Sequence, residues 1–471
     1  MRHHVGVTGR HVVVVGGGIA GLAAAYALER TCPPGTTVVV VEGARALGGK
    51  LRTSTIEGLA VDEGAEAFLA AVPEGIELAR AVGLGADLVH PATGAASIAV
   101  DATLRPLPTG TVLGVPGDVE SLAASTVLTP AGLARVRAEA AGPAVTDDVS
   151  VGALIRRRLG DEVVDRLVDP LLGGVYAGRA DSLSLQATVP ALAAALRRPG
   201  SLLAAARAAR PPAARTGPVF ASLRHGLGAL VPAVASRLDA EVLLGRPVRE
   251  FHRSTEGFRL AGGPVPAPTY LAADAVVVAV PAAPAARLLG EVAPAAATEL
   301  AGIDYASTAI VTLAYRAITL PPGSGVLVAA TEGLAVKALT FSSQKWAQLA
   351  GPLSIVRASV GRYRDEAVLQ RSDADLVALA TTEVAALTGV TARPLASRVT
   401  RWGGALPQYA VGHLDRVRRI DAAVSAVPGL AVAGAAYGGV GVPACIRSGY
   451  AAADRIAAYL TELDLRQSRH D

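Results

Sequence analysis

Three glycines and one acid set the first chemical constraint on this chain. Gly16, Gly18 and Gly21 stand in G-x-G-x-x-G spacing within Gly16-Gly17-Gly18-Ile19-Ala20-Gly21, and Glu42-Gly43 follows. The spacing suits a dinucleotide. Gly16 permits a tight turn, Gly18 lets the backbone approach a pyrophosphate, and Gly21 lets a helix pack on the preceding strand. A helix starting there turns free N–H groups and a positive dipole toward the phosphates. Glu42, 21 residues beyond Gly21, lies where an acid accepts hydrogen bonds from both ribose hydroxyls and repels a 2′-phosphate, which disfavours NADP. Gly48-Gly49-Lys50 comes next, and its paired glycine allows close approach to a second part of the same cofactor, with Lys50 or Arg52 facing its phosphates. Asp62-Glu63-Gly64-Ala65-Glu66 has no metal-cage spacing, and a solvated turn is its plain alternative. Near the other end, Gly434 opens a glycine loop through Val440-Gly441-Val442 to Pro443, a favourable first-turn residue. A second helix N-terminus there is what FAD needs beside its pyrophosphate and flavin carbonyls, whereas a structural Gly-rich turn is the bland reading.

These residues need elements to hold them. The run Val12–Val15 reads as a strand, an Ala/Leu-rich helix extends to about Arg30, and Thr37–Val41 reads as a second strand. Short strands are expected between Ala86 and Pro116. Helices are expected from Val119 to about Arg210, at Ala131–Glu139, Val151–Leu159, Glu162–Asp169 and Leu192–Ala209. Pro211-Pro212 marks a boundary, Gly226–Leu230 opens a helix, and Glu241–Leu244 with Val248–His252 reads as a strand pair. Ala275–Val280 is a buried strand, and the recurring strands from Ser307 to Arg362 predict an antiparallel sheet. Asp373–Leu387 predicts an amphipathic helix, Leu430–Ala433 a core strand and Ala444–Leu463 a closing helix. The fold class is α/β: a three-layer, Rossmann-like FAD-binding domain with an inserted antiparallel-sheet domain and a helical insertion. The discontinuous cofactor domain takes 10–85, 222–296 and 427–465, the substrate domain takes 86–118 and 297–426, and the helical insertion takes 119–221.

Composition excludes several classes. With 471 residues the chain is too long for one ordinary core, and 51% hydrophobic against 18% charged residues makes it globular. Its net charge of +4 comes from an arginine-dominated set with only three lysines, Lys50, Lys337 and Lys345. No long basic block occurs, so no nucleic-acid partner is expected, and a mild positive field suits an anionic small molecule. Arg156-Arg157-Arg158 reads as a solvated helix face. Two distant cysteines, Cys32 and Cys445, fit a reducing cytoplasm without a metal cluster, and Cys445 reads as a buried helix-start residue. The N-terminal stretch MRHHVGVTGR has no signal-type apolar core. The uncharged run Ala422–Ile446 is broken by Pro428, Pro443 and several glycines, so no membrane span is predicted.

The segments GGGIAGL…E, ALGGKLRT, DEGAEAF, LVDPLLGGVYAGRADSLSLQATVP, RWGGALPQYAVGH and GLAVAGAAYGGVGVPACIRSG together resemble the bacterial porphyrinogen oxidases of heme synthesis, within the amine-oxidase-type flavoproteins. The resemblance implies that Gly16, Gly17, Gly18, Ile19, Ala20, Gly21, Glu42 and Gly43 hold the AMP half of a non-covalent FAD. By the same resemblance Gly48, Gly49 and Lys50 continue along it, and Glu63, Gly64, Ala65 and Glu66 lie near the flavin. Val248 contacts adenine through its backbone, Trp402 borders the cofactor, and Gly434, Val440, Gly441 and Val442 meet the flavin end. His413 matches a family G-H pair with a structural role. The family usually has Pro where Ala65 stands and often Asp where Ala444 stands. Some relatives place an Arg near Ala95-Ala96-Ser97 to pair a substrate propionate, so either Arg105, Arg179 or another Arg takes that task here or the substrate is held differently.

The implied activity is an oxygen-dependent, six-electron oxidation of coproporphyrinogen III to coproporphyrin III, in three flavin cycles that each release hydrogen peroxide. The cofactor carries the hard chemistry and no catalytic side chain is required. A large apolar pocket rimmed by Arg is expected for a flat hydrophobe edged with carboxylates. Protoporphyrinogen IX is the alternative substrate; an amine or polyene oxidase of the same superfamily is the enzyme runner-up, and a binding protein without turnover is the other class. Partners implied are the anionic tetrapyrrole, molecular oxygen and, by pathway logic, a ferrochelatase. A cytoplasmic location is expected, with peripheral membrane contact left open.

Overall fold

The computed structural model describes residues 9–210 and 217–467, so the Pro211-Pro212 boundary and most of the N-terminal stretch lie outside the described residues. The valine runs form the centre of the fold. His11–Val15 pairs in parallel with Thr37–Val41 on one side and with Ala275–Val278 on the other, matching Val13 to Val39 and to Val276. Glu241–Leu243 and Leu430–Val432 complete a five-stranded parallel sheet. Alternation along one strand then supplies two cores. Val12 and Val14 face the helix Ile19–Thr31 and the C-terminal helix Val442–Gln467, packing with Leu22, Leu28, Ile446 and Ile456. Val13 and Val15 face the opposite way, toward Phe251, Phe258, Leu289 and Ile420. Both faces are covered, which is why these strands read as unbroken apolar runs rather than alternating ones.

A second sheet of seven strands orders 396–407, 305–316, 353–360, 336–341, 325–328, 97–100 and 103–106. It departs from the predicted antiparallel arrangement at one place: Gly325–Val328 runs parallel to Ser97–Val100, where a hairpin from far earlier in the chain joins the edge. The helix Asp373–Thr388 covers one face through Leu376, Ala380 and Val384, against Val356 and Ala358. Arg357 lies between those two valine-and-alanine positions and therefore points to the other face.

Three local expectations are corrected. Leu192–Ala209 is not one helix but two, Pro190–Ala195 and Leu202–Ala208, because Pro199-Gly200 interrupts it. Glu241–Leu243 and Val248–Ser254 do not pair with each other. The first joins the parallel sheet, and the second starts a three-stranded meander with Gly257–Gly262 and Thr269–Ala273. The Arg156–Arg158 run is solvated only at Arg157, which is exposed: Arg156 binds Asp161, Asp165 and Asp181, and Arg158 binds the buried Glu139. Among the described residues, no helix is long and apolar enough to cross a membrane.

Candidate functional site

The glycine turn is built by close contact. Gly16 sits at φ +110°, and a Cβ there would lie 2.5 Å from the Ala279 carbonyl oxygen. A Cβ on Gly21 would lie 1.9 Å from the Gly16 oxygen, so the helix cannot dock on the strand with any larger residue. Gly18 differs: a Cβ there would meet nothing within 4 Å. Gly16 and Gly21 are thus filled by the protein, whereas the space at Gly18 is open, and Gly18 caps the Ile19–Thr31 helix without a side-chain hydrogen bond. Ile19 and Ala20 form that helix's first turn. Glu42 lies beside them: its carboxylate accepts from the Gly17 N–H at 2.7 Å and the Ala44 N–H at 2.7 Å. Gly43 packs 3.4 Å (as a built Cβ) from Pro247, which places the start of the Val248 strand against the same loop.

The second motif folds back on the first. The Gly48 N–H donates to the Gly17 carbonyl at 2.8 Å, and a Cβ on Gly49 would approach the Gly18 Cα to 3.4 Å. Lys50 is partly buried, and burial pushes its ammonium below the ordinary lysine value, with the neighbouring Cys445 acting the other way. Lys50 has no ion-pair partner among the described residues, in contrast to Arg52, which binds Glu63 at 3.0 Å.

The Asp62–Glu66 stretch is not the solvated turn that was its alternative. Asp62 and Glu63 are buried; Asp62 accepts from the Leu227 N–H at 2.9 Å, the seven-stranded sheet holds Glu63, Gly64 and Glu66, and Ala65 packs on the apolar core. Trp402 Nε1 donates to the Glu63 carbonyl at 2.9 Å, and Arg357 Nη2 donates to the Gly64 carbonyl at 2.7 Å. Glu66 binds both Lys345 and Arg357. Burial pushes the Glu66 carboxyl up, but Arg357 and Lys345 outweigh it and bring the carboxyl down to about 2. A Cβ on Gly64 would lie 2.2 Å from the Lys50 carbonyl, so the turn and the Gly48–Lys50 loop touch.

From the chain's other end, the loop after Leu430–Val432 reaches the same region. The Gly434 N–H donates to Ser448 Oγ at 2.9 Å. The Tyr409 hydroxyl donates to the Ala435 carbonyl at 2.6 Å and accepts from the Gly439 N–H at 2.9 Å. His413 is buried, stacks on Tyr409 at 3.9 Å, and places Nε2 3.2 Å from the Tyr437 carbonyl. Cys445 is buried near the Gly439 and Val440 carbonyls, and burial raises its thiol to about 11. The helix starts at Val442, one residue before Pro443, and crosses the first helix so closely that a Cβ on Gly449 would lie 2.3 Å from the Ala20 oxygen. Val440 packs on an apolar cluster that contains Tyr176 and Tyr409.

Open space at Gly18, an unneutralised Lys50 and a buried Tyr437 hydroxyl with no hydrogen-bond partner all await a polar, anionic group. The residues present fit FAD: phosphates suit Gly18 and Lys50, and Lys50 neighbours Cys445, which lies near the Val440 carbonyl. Of the two arginines expected at a propionate, Arg105 lies on the sheet's edge strand and donates to Thr126 Oγ1 at 2.7 Å. Arg179 lies exposed just beyond the helix Asp169–Tyr176, on the insertion. Arg357, Tyr409 and Tyr437 were not foreseen. Lys345 was counted as rare but not placed, although lysine scarcity in an arginine-rich chain was the available signal.

The sequence model for flavin containing amine oxidoreductases matches residues 19–457. A Mycobacterium tuberculosis protein named coproporphyrinogen III oxidase is 40% identical, covering 98% of this chain and 100% of that protein. A Bacillus subtilis protein of the same name is 32% identical, covering 96% and 98% respectively. A solved structure from Exiguobacterium sp. 255-15 superposes with a TM-score of 0.86 at 32% identity, covering 95% of this chain and 99% of that one.

Proposed function

The chain belongs to the flavin containing amine oxidoreductase family, and from that premise we propose that it oxidises coproporphyrinogen III to coproporphyrin III. Each macrocycle loses six hydrogens as three dioxygen molecules become three hydrogen peroxides. The observation that carries this reading is the near full-length similarity to proteins named for that substrate, on a chain whose open space at Gly18 beside the G-x-G-x-x-G helix start suits FAD. FAD, held non-covalently, supplies the two-electron acceptor that oxygen restores. In this reading residues 10–85, 222–296 and 427–465 carry the cofactor, residues 86–118 and 297–426 the substrate, and 119–221 the helical insertion.

The protein's own contribution is positioning. Gly16, Gly18, Gly21, Glu42 and Lys50 fix the nucleotide end. Trp402 and Arg357 hold the Glu63–Glu66 turn in place. Tyr409 hydrogen-bonds both sides of the Gly434–Val442 loop and gives an apolar wall with Tyr176 and Val440. No side chain is assigned as an acid or base, because aromatisation drives the reaction and pyrrole N–H protons leave to solvent. A ferrochelatase is the partner that would take the product onward, and a reducing cytoplasm suits the two free cysteines. The test is to purify the protein, read its flavin spectrum, and supply coproporphyrinogen III and protoporphyrinogen IX separately under air while following porphyrin fluorescence. Formation of coproporphyrin by a yellow protein supports the reading. A protein that takes up no FAD, or takes it up and forms neither porphyrin, overturns it.

A further inference from the structure

The helical insertion and the seven-stranded sheet meet at a group of charges that the cofactor site does not use. Lys337 lies in an irregular part of its strand, where the register shifts between Val336 and Ala338. It is 5% exposed, and its Nζ donates only to the Gly361 carbonyl, at 2.9 Å. Arg362, 6% exposed, donates Nη2 to the Val328 carbonyl at 3.2 Å. Neither cation forms an ion pair with a carboxylate among the described residues. Among the described residues Asp169 is the buried acid that acts on Arg362, and it is already bound to the Ala180 N–H at 2.8 Å; Asp365, which Arg362 also feels, is exposed. Arg179 adds a third cation within electrostatic range of Arg362 and Asp169. Buried charge this poorly compensated is costly unless a counter-ion completes it.

Several contacts place the group at the end of one helix. The Tyr363 N–H donates to the Ala177 carbonyl at 2.7 Å, clipping the strand end beneath the helix Asp169–Tyr176. Gly173 and Gly174 leave that helix without side chains toward Arg362 and Leu327; built Cβ atoms there would stand 3.7 Å from Arg362 Nη1 and from Leu327 Cδ2. The same helix end carries Tyr176, whose carbonyl accepts from Gln408 Nε2 at 2.8 Å and whose ring lies 5.5 Å from Tyr409. Tyr409 in turn bonds the Gly434–Val442 loop. An aromatic wall and a cationic group thus lie side by side, matching an apolar ring that bears carboxylates on its edge.

Resting on the activity proposed above, we infer that Arg179, Arg362 and Lys337 form a carboxylate subsite that receives one propionate of the tetrapyrrole. Arg179 is the exposed member of the group, and Arg362 and Lys337 are its buried members. This replaces Arg105 as the expected partner of that group.

The test measures binding rather than turnover. The holoenzyme and its Arg179→Ala and Lys337→Met variants are titrated with coproporphyrin III and with its tetramethyl ester, following porphyrin fluorescence. Each variant is expected to bind the acid about 10–100-fold more weakly, the worth of a charge-assisted hydrogen bond, while ester affinity and the flavin spectrum stay unchanged. Variants that bind the acid as tightly as the parent, or lose acid and ester alike, overturn the subsite. A parent holoenzyme that binds neither porphyrin overturns the activity reading itself. Arg179 is exposed, so its truncation keeps the test valid should Lys337→Met fail to fold.

Discussion

Replacing Lys337 with methionine should make the protein more stable near neutral pH. Burial, reinforced by Arg362, lowers the Lys337 ammonium from 10.5 to about 7. A gap of roughly 3.5 pKa units corresponds to about 5 kcal/mol between folded and unfolded states at about 1.4 kcal/mol per unit. Methionine fills a similar volume without charge, but it leaves the Gly361 carbonyl without its donor, which costs about 1–3 kcal/mol. The net expectation at pH 6 is a gain of about 2–4 kcal/mol. The sign with pH follows from proton counting. Between about 7 and 10.5 the unfolded chain keeps the lysine proton that the folded one has released, so raising pH stabilises the parent across that window. The charged group facing Lys337 is Arg362, itself near Asp169, Arg179 and Asp365, and the variant keeps all four. Urea unfolding of both proteins at intervals from pH 6 to 10 should therefore show the variant's advantage shrinking and then reversing. A variant less stable than its parent at pH 6, or an advantage independent of pH, would refute the reasoning.

Other substitutions probe other parts of the account. Gly21→Ala drives a methyl into the Gly16 carbonyl, so the purified protein should carry less than a tenth of the parent's flavin, read from its visible spectrum; full occupancy would count against the turn geometry. Glu66→Gln removes the partner of Lys345 and Arg357. The parent carboxyl, lowered from 4.5 to about 2, contributes stability that is present above about 4.5 and lost as pH falls through about 2, on the order of 3 kcal/mol. Acid unfolding should therefore be shallower in the variant over that window, and identical acid limbs would contradict the assignment. Acid precipitation of the holoenzyme should release all flavin to the supernatant; yellow pellet protein would show a covalent bond.

What the sequence revealed follows how local each constraint is. Gly16, Gly18 and Gly21 are legible because turn, open approach and helix contact all fall within one strand–turn–helix unit. The Gly48–Lys50 and Val440–Val442 loops could be named but not joined, since only folding brings Gly48 to Gly17 and Cys445 to Lys50. Arg357 was invisible because it sits in an apolar strand, and its role depends on which face of that strand meets the Glu63–Glu66 turn. The solvated reading of that turn failed because Glu66 is neutralised by residues nearly 300 positions away, Lys345 and Arg357, while Asp62 and Glu63 are buried. Pairing with acids on neighbouring segments, Asp165 and Asp181 for Arg156 and Glu139 for Arg158, undid the solvated reading of those two arginines. Lys337 carried a faint signal: it is one of three lysines in the chain.

The central claim is tested most directly by a competition. Equal coproporphyrinogen III and protoporphyrinogen IX are offered to the FAD-loaded enzyme under air, with both porphyrins and oxygen uptake followed together. Coproporphyrin is expected to form first, with three oxygen molecules consumed for each porphyrin formed. Faster protoporphyrin formation, or no porphyrin from a flavin-loaded protein, would contradict it.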